Sequence, residues 1–237
     1  MTNISTQYSP ITDGTFDNLH FDFEGRTLPR FVAVEGNIGV GKTTLAKRLA
    51  STFNYKTLLE AAEENPFLER FYQDRKRNAL PTQLHFLFQR SQQFKELRQD
   101  DMFSPLRVAD FLLNKDPLFA RVTLDDDEFS LYRKVYDQLI CDVPKPDLVV
   151  YLQAPIEVLL KRVRQRGIAA EQRIDQEYLQ QLNEAYTQFF HYYNDAPLLI
   201  VNAAEIDLAN NAQHYRSLVE YMLTIRNGRH YYNPSTI

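Results

Sequence analysis

This 237-residue chain predicts an α/β domain in which a central parallel sheet of about five strands is covered by helices on both faces. Three observations carry the prediction. Short apolar runs alternate with stretches of helical period. Two of those runs, FVAVE at 31–35 and DLVVYLQ at 147–153, are almost continuously apolar, as a strand buried on both faces must be. A glycine-rich loop, GNIGVGKT at 36–43, joins the first run to the first helical stretch.

The elements follow in order. Residues 1–28 are polar, rich in turn formers and without a sustained period, so they read as an extension ahead of a single domain at 29–237. After the FVAVE strand and its loop, TTLAKRLASTF has apolar residues at helical spacing, and YKTLLE is a short strand-like run ending at Glu60. The stretch from Asn65 to Gln99 predicts helices with a break near Pro81. PLRVADFLL carries a short strand whose end bears Asp110, and DDDEFSLYRKVYDQLI a helix. The strand PDLVVYLQAP is bounded by prolines, and IEVLLKRVRQRG is an amphipathic helix that stops at Gly167. One more helix, QEYLQQLNEAYTQFFHYYN, and a last strand, PLLIVNA, complete the pattern.

Composition narrows the function. The hydrophobic share of 44% and charged share of 24% are ordinary for a globular chain, and no apolar run approaches a membrane span. With a net charge of −4 and interleaved signs, the chain lacks the broad basic surface that nucleic acid requires. A small anionic ligand suits it better. The single Cys141 excludes an intrachain disulfide framework, the amino terminus lacks a secretory pattern, and a cytoplasmic location is the expectation.

The loop states which anion. In Gly36, Asn37, Ile38, Gly39, Val40, Gly41, Lys42, Thr43 and Thr44, glycines let backbone N–H groups approach phosphate oxygens closely. Lys42 would reach the β- and γ-phosphates of ATP, and the Thr43 hydroxyl would bind Mg²⁺. DLVVYLQ ends in Gln153, where a motor ATPase would carry a metal-binding Asp, so a small-molecule kinase is the better reading, with Glu60 available as base.

From Phe31 to Asn202 the chain resembles the deoxynucleoside kinases, including bacterial deoxyadenosine and deoxyguanosine kinases. The likeness rests on EGNIGVGKTTLAKRLA, ENPFLERFYQD, LPTQLHFLFQR, PLFARVTL, KPDLVVYLQAP and KRVRQRGIAAEQRIDQEYLQQLNEAY, in the family's order and spacing. It implies a P-loop kinase fold with a basic helical lid at about 162–173, ATP and Mg²⁺ as cofactors, a deoxynucleoside as the small-molecule substrate, and a homodimer. It also implies roles. Glu60 matches the base that takes the 5′-hydroxyl proton, Tyr72 and Glu171 the residues holding the 3′-hydroxyl, Gln83 the reader of the base edge and Phe119 the ring stacked on the base. Arg162, Arg164 and Arg166 match lid arginines over the ATP phosphates.

The chain departs from the family at the end of the third strand, where an acid, Arg and Ser are replaced by Ala109, Asp110 and Phe111. Asp110 is a candidate second Mg²⁺ ligand beside Thr43, and Arg107 and Lys115 are the nearby cations that could cover the lost charge. Ala61-Ala62 replaces a Pro-Val pair, and Ile168 the last lid Arg. Two other readings stand beside the leading one: a non-catalytic nucleotide-binding or assembly subunit, and a nucleoside monophosphate kinase. Lys115 lies where family members vary with specificity, and purines are slightly favoured.

Overall fold

The computed structural model describes residues 19–100, 106–140 and 144–234, so residues 1–18 of the expected extension and Cys141 lie outside it. In chain order the elements are β1 (Phe31–Gly36), α1 (Lys42–Phe53), β2 (Lys56–Leu58), α2 (Leu68–Gln73), α3 (Arg75–Asp100), β3 (Arg107–Ala109) and α4 (Asp116–Thr123). There follow α5 (Asp126–Leu139), β4 (Leu148–Gln153), α6 (Ile156–Arg166), α7 (Gln176–Tyr192), β5 (Leu198–Asn202), α8 (Ala212–Met222) and β6 (Arg229–Tyr232).

All strand pairings are parallel, in the order β2-β3-β1-β4-β5-β6. The sheet therefore has six strands where the sequence predicted about five. The additional strand, β6, is the four residues RHYY, paired to β5 from Leu198↔Arg229 to Val201↔Tyr232. An edge strand with a charged and polar start carries no apolar run to announce it.

Alternation along β1 sends Val32 and Val34 to one face and Ala33 and Glu35 to the other. The first pair packs in the large core with Leu45 and Leu49 of α1 and Leu218 and Val219 of α8. Ala33 packs with Tyr151 of β4 and Tyr186 and Phe190 of α7, while Leu58 and Ala109 meet Phe94 of α3. Each wholly buried Leu stabilises this arrangement by about 1.5–3 kcal/mol. Because β1 has β3 on one side and β4 on the other, the sheet reverses its order there, and the crevice beyond the strands' carboxyl ends is where such a sheet binds ligand.

Two expectations need correction. The helical break falls at Asp74, between α2 and α3, and α3 runs uninterrupted through Pro81. That proline costs one backbone bond, to the Arg77 carbonyl, in a helix of 26 residues. Residues 19–28 are not outside the core either: Leu19, Phe21, Phe23 and Leu28 pack against it, with Phe23 on Phe53 and Phe21 edge-on to Tyr215.

Candidate active site

The glycine-rich loop leaves β1 with Gly36 at φ 146° and turns into α1 through Gly39 and Gly41 at φ 81° and 107°. At Gly36 a Cβ would lie 2.5 Å from the Leu152 carbonyl oxygen, and at Gly39 one would meet Val163 at 2.8 Å and the Leu159 carbonyl oxygen at 2.9 Å. No other residue fits either place. Buried Asn37 pins the loop, donating from Nδ2 to the Leu179 carbonyl (2.9 Å) and accepting at Oδ1 from the Ile38 N–H (2.7 Å). The first turn of α1 has no acidic residue, so its unpaired N–H groups are open to an anion.

Lys42 folds over the loop to donate to the Asn37 carbonyl (3.2 Å). Burial lowers its pKa and the neighbouring Lys115 lowers it further, against the pull of Glu35, Glu60 and Asp110. Its charge is thus poorly compensated, a state that bound phosphates relieve.

Asp110, the first residue after β3, reaches back to the loop. Its Oδ2 accepts from the Thr43 hydroxyl at 2.6 Å and its Oδ1 from the Glu60 N–H at 2.8 Å. Burial pushes its carboxyl up, despite the Thr43 bond. A carboxylate and a hydroxyl in contact, both hard oxygens, suit Mg²⁺, which takes one or two protein ligands and fills its octahedron with water and substrate phosphate. Among the described residues there is no group of three or more His, Cys, Asp or Glu that could hold a metal.

Glu60 stands two residues beyond β2, and its carboxylate is ion-paired to Arg90 of α3. Burial alone would raise its pKa. The charges of Arg90, Lys115 and Lys42 outweigh burial and hold it at about 2. Arg90 is itself buried, 4% exposed, and binds the buried Asp116 as well. Sequence reading missed this arginine, although it lies seven residues, two helical turns, beyond Gln83 and so on the same face of α3. Replacing Arg90 by Gln is expected to move the acid limb of the kcat/KM profile upward by about 1–3 pH units, because Glu60 then keeps the cost of burial and loses its main counter-charge. An unshifted profile in a folded variant would separate Arg90 from the base.

The remaining predicted residues have the following surroundings. Gln83 is 4% exposed, and no described residue takes up its amide, leaving donor and acceptor for a ligand. Phe119 meets Tyr186 edge-on at 5.9 Å and lies 5.0 Å beneath the Lys115 ammonium. Tyr72 is brought to Glu171: burial raises its phenol pKa, and Tyr178, Glu171 and Glu60 raise it further.

The lid arginines divide. Arg162 donates to the carbonyls of Val40 (3.1 Å) and Ala203 (2.8 Å), tying α6 to the phosphate loop. Arg166 is ion-paired with Glu171. Arg164 belongs to the opposite, exposed side of α6, since at 100° per residue it stands away from buried Leu159 and Val163. Of the two cations weighed for the strand-end position, Arg107 opens β3 at its amino end, away from the crevice, while Lys115 is buried beneath it.

Comparison with known proteins identifies the family. The family model for deoxynucleoside kinase covers residues 32–225. The deoxyguanosine kinase of Bacillus subtilis (strain 168) is 36% identical over 160 residues, 66% of this chain and 76% of its own. The deoxyadenosine/deoxycytidine kinase of the same organism is 29% identical over 202 residues, 82% and 92% of the two chains. A solved deoxyadenosine kinase from M. mycoides, with products dCMP and a flexible dCDP bound, is similar at a TM-score of 0.71 and 27% identity, over 82% of this chain and 100% of that one. The chain therefore belongs to the deoxynucleoside kinase family and is an enzyme that phosphorylates deoxynucleosides.

Proposed function

We propose that the chain transfers the γ-phosphate of ATP to the 5′-hydroxyl of a deoxynucleoside, purines before pyrimidines, in nucleotide salvage in the cytoplasm, and that it works as a homodimer. The observation that carries the catalytic assignment is the junction at Asp110, whose two oxygens hold Thr43 of the phosphate loop and the Glu60 backbone. One short residue thus fixes the donor and acceptor sides of the reaction relative to each other.

The loop N–H groups and Lys42 hold the β- and γ-phosphates, and Arg162 braces the loop from α6. Tyr72 and Glu171 hold the 3′-hydroxyl, Gln83 reads the base and Phe119 stacks on it. Glu60 accepts the 5′-hydroxyl proton as that oxygen bonds to the γ-phosphorus and the bond to the bridging oxygen of ADP breaks, in line. Arg90 keeps Glu60 ionised and so able to accept the hydroxyl proton. Mg²⁺, on Thr43 and Asp110, would neutralise charge on the phosphates.

Relatives that are kinases of deoxynucleosides favour a nucleoside over a monophosphate acceptor. The deciding assay presents Mg-ATP and each of the four deoxynucleosides, with Lys42→Ala as blank. Transfer is expected to deoxyadenosine or deoxyguanosine, and to be lost in the variant. Transfer to monophosphates alone, or to none from a protein that binds ATP, would overturn the reading.

A further inference from the structure

Three side chains that the reaction does not use are buried together under the phosphate loop. Glu35, the last side chain of β1 before Gly36, is 0% exposed, and Lys115 is 1% exposed. The Lys115 ammonium lies 3.1 Å from each Glu35 carboxylate oxygen, donating to Oε2, and donates to the Tyr186 hydroxyl at 3.0 Å. Tyr186 in turn donates to Glu35 Oε2 at 3.1 Å. The same carboxylate accepts from the N–H of Gly36 (3.0 Å) and of Leu112 (2.5 Å). It therefore joins the start of the phosphate loop, the segment after Asp110, and α7.

A buried carboxylate in that position has two available counter-ions, because Lys42 also feels Glu35 electrostatically. If Glu35 were unpaired, it would compete with the phosphates for the Lys42 ammonium and oppose an anion held at the loop whose first N–H it accepts from. We propose that Lys115 is a positioning residue for the triphosphate site: its ammonium occupies the Glu35 carboxylate and so leaves Lys42 to the phosphates. This rests on the kinase reading for its meaning, though its test reads nucleotide binding directly.

The test compares the full chain with Lys115→Met and with the double variant Glu35→Gln/Lys115→Met. Methionine keeps the packing against Phe119, and the Glu35→Gln change removes the charge that Lys115 matches. Lys115→Met is expected to weaken MgATP binding, measured calorimetrically without acceptor, by about tenfold or more. The KM for deoxynucleoside should change by less than about threefold, since the loss falls on the donor side. In the double variant MgATP affinity should return to within about threefold of the parent. An unchanged affinity in Lys115→Met would overturn the proposal. So would a folded double variant as weak as the single one, since the Lys115 charge itself would then be needed. If Lys115→Met does not fold, the double variant decides alone: parental affinity supports the proposal, and a loss of about tenfold overturns it. Failure of the kinase reading would look different, as a parent chain that binds MgATP and phosphorylates no deoxynucleoside.

Discussion

Glu60→Gln lowers kcat for phosphoryl transfer by about two to four orders of magnitude, the contribution of a positioned general base, and leaves MgATP binding close to that of the parent. The substitution is nearly isosteric. Its amide oxygen can still accept from Arg90, and its backbone N–H still donates to Asp110, so the crevice keeps its shape. The lost function is acceptance of a proton, which an amide cannot perform. Because Glu60 is held ionised down to about pH 2, the parent should show no acid limb from this group across the neutral range. Steady-state kinetics with a saturating deoxynucleoside test the prediction, and a kcat within a few-fold of the parent would remove Glu60 from the mechanism.

Asp110→Asn raises the Mg²⁺ concentration for half-maximal rate by about 10- to 100-fold, with the rate partly restored by excess Mg²⁺. Asn can still bond Thr43 and the Glu60 N–H, so the junction survives and only the charge is lost. The effect is large because among the described residues Asp110 is the carboxylate in contact with the Thr43 hydroxyl. A Mg²⁺ titration of initial rate separates the outcomes: an unaltered midpoint would mean that Asp110 is only a strut between loop and base.

Much of this site was legible in the chain. The phosphate loop is contiguous, and its conformation follows from glycines whose φ values are excluded to other residues, so nine neighbouring letters suffice to state its chemistry. The roles given to Glu60, Tyr72 and Gln83 come from the family resemblance, which their offsets around Asn65-Pro66-Phe67 carry. The single step from Ala109 to Asp110 was less clear. It resolved once β3 was seen to end at Ala109, which frees Asp110 from the alternation of the strand and lets it turn to Thr43.

The pairing of the buried charges, by contrast, is visible only in three dimensions. Arg90 joins Glu60 from 30 positions away, and Lys115 and Tyr186 reach Glu35 across 80 and 151 positions. No local pattern encodes such partners, because a buried charge is satisfied by whichever element the sheet order brings against it. The same holds for Arg164, which shares its composition and neighbourhood with Arg162 and Arg166 and differs from them only in the side of α6 it occupies. The phosphate loop and the alternation of strand and helix can be read from the letters, since they depend on backbone conformation and short-range period, whereas the acids and aromatics of the acceptor side come from the family resemblance. Packing set the rest: the sixth strand, the outward arginine and the two buried ion clusters around Glu60 and Glu35.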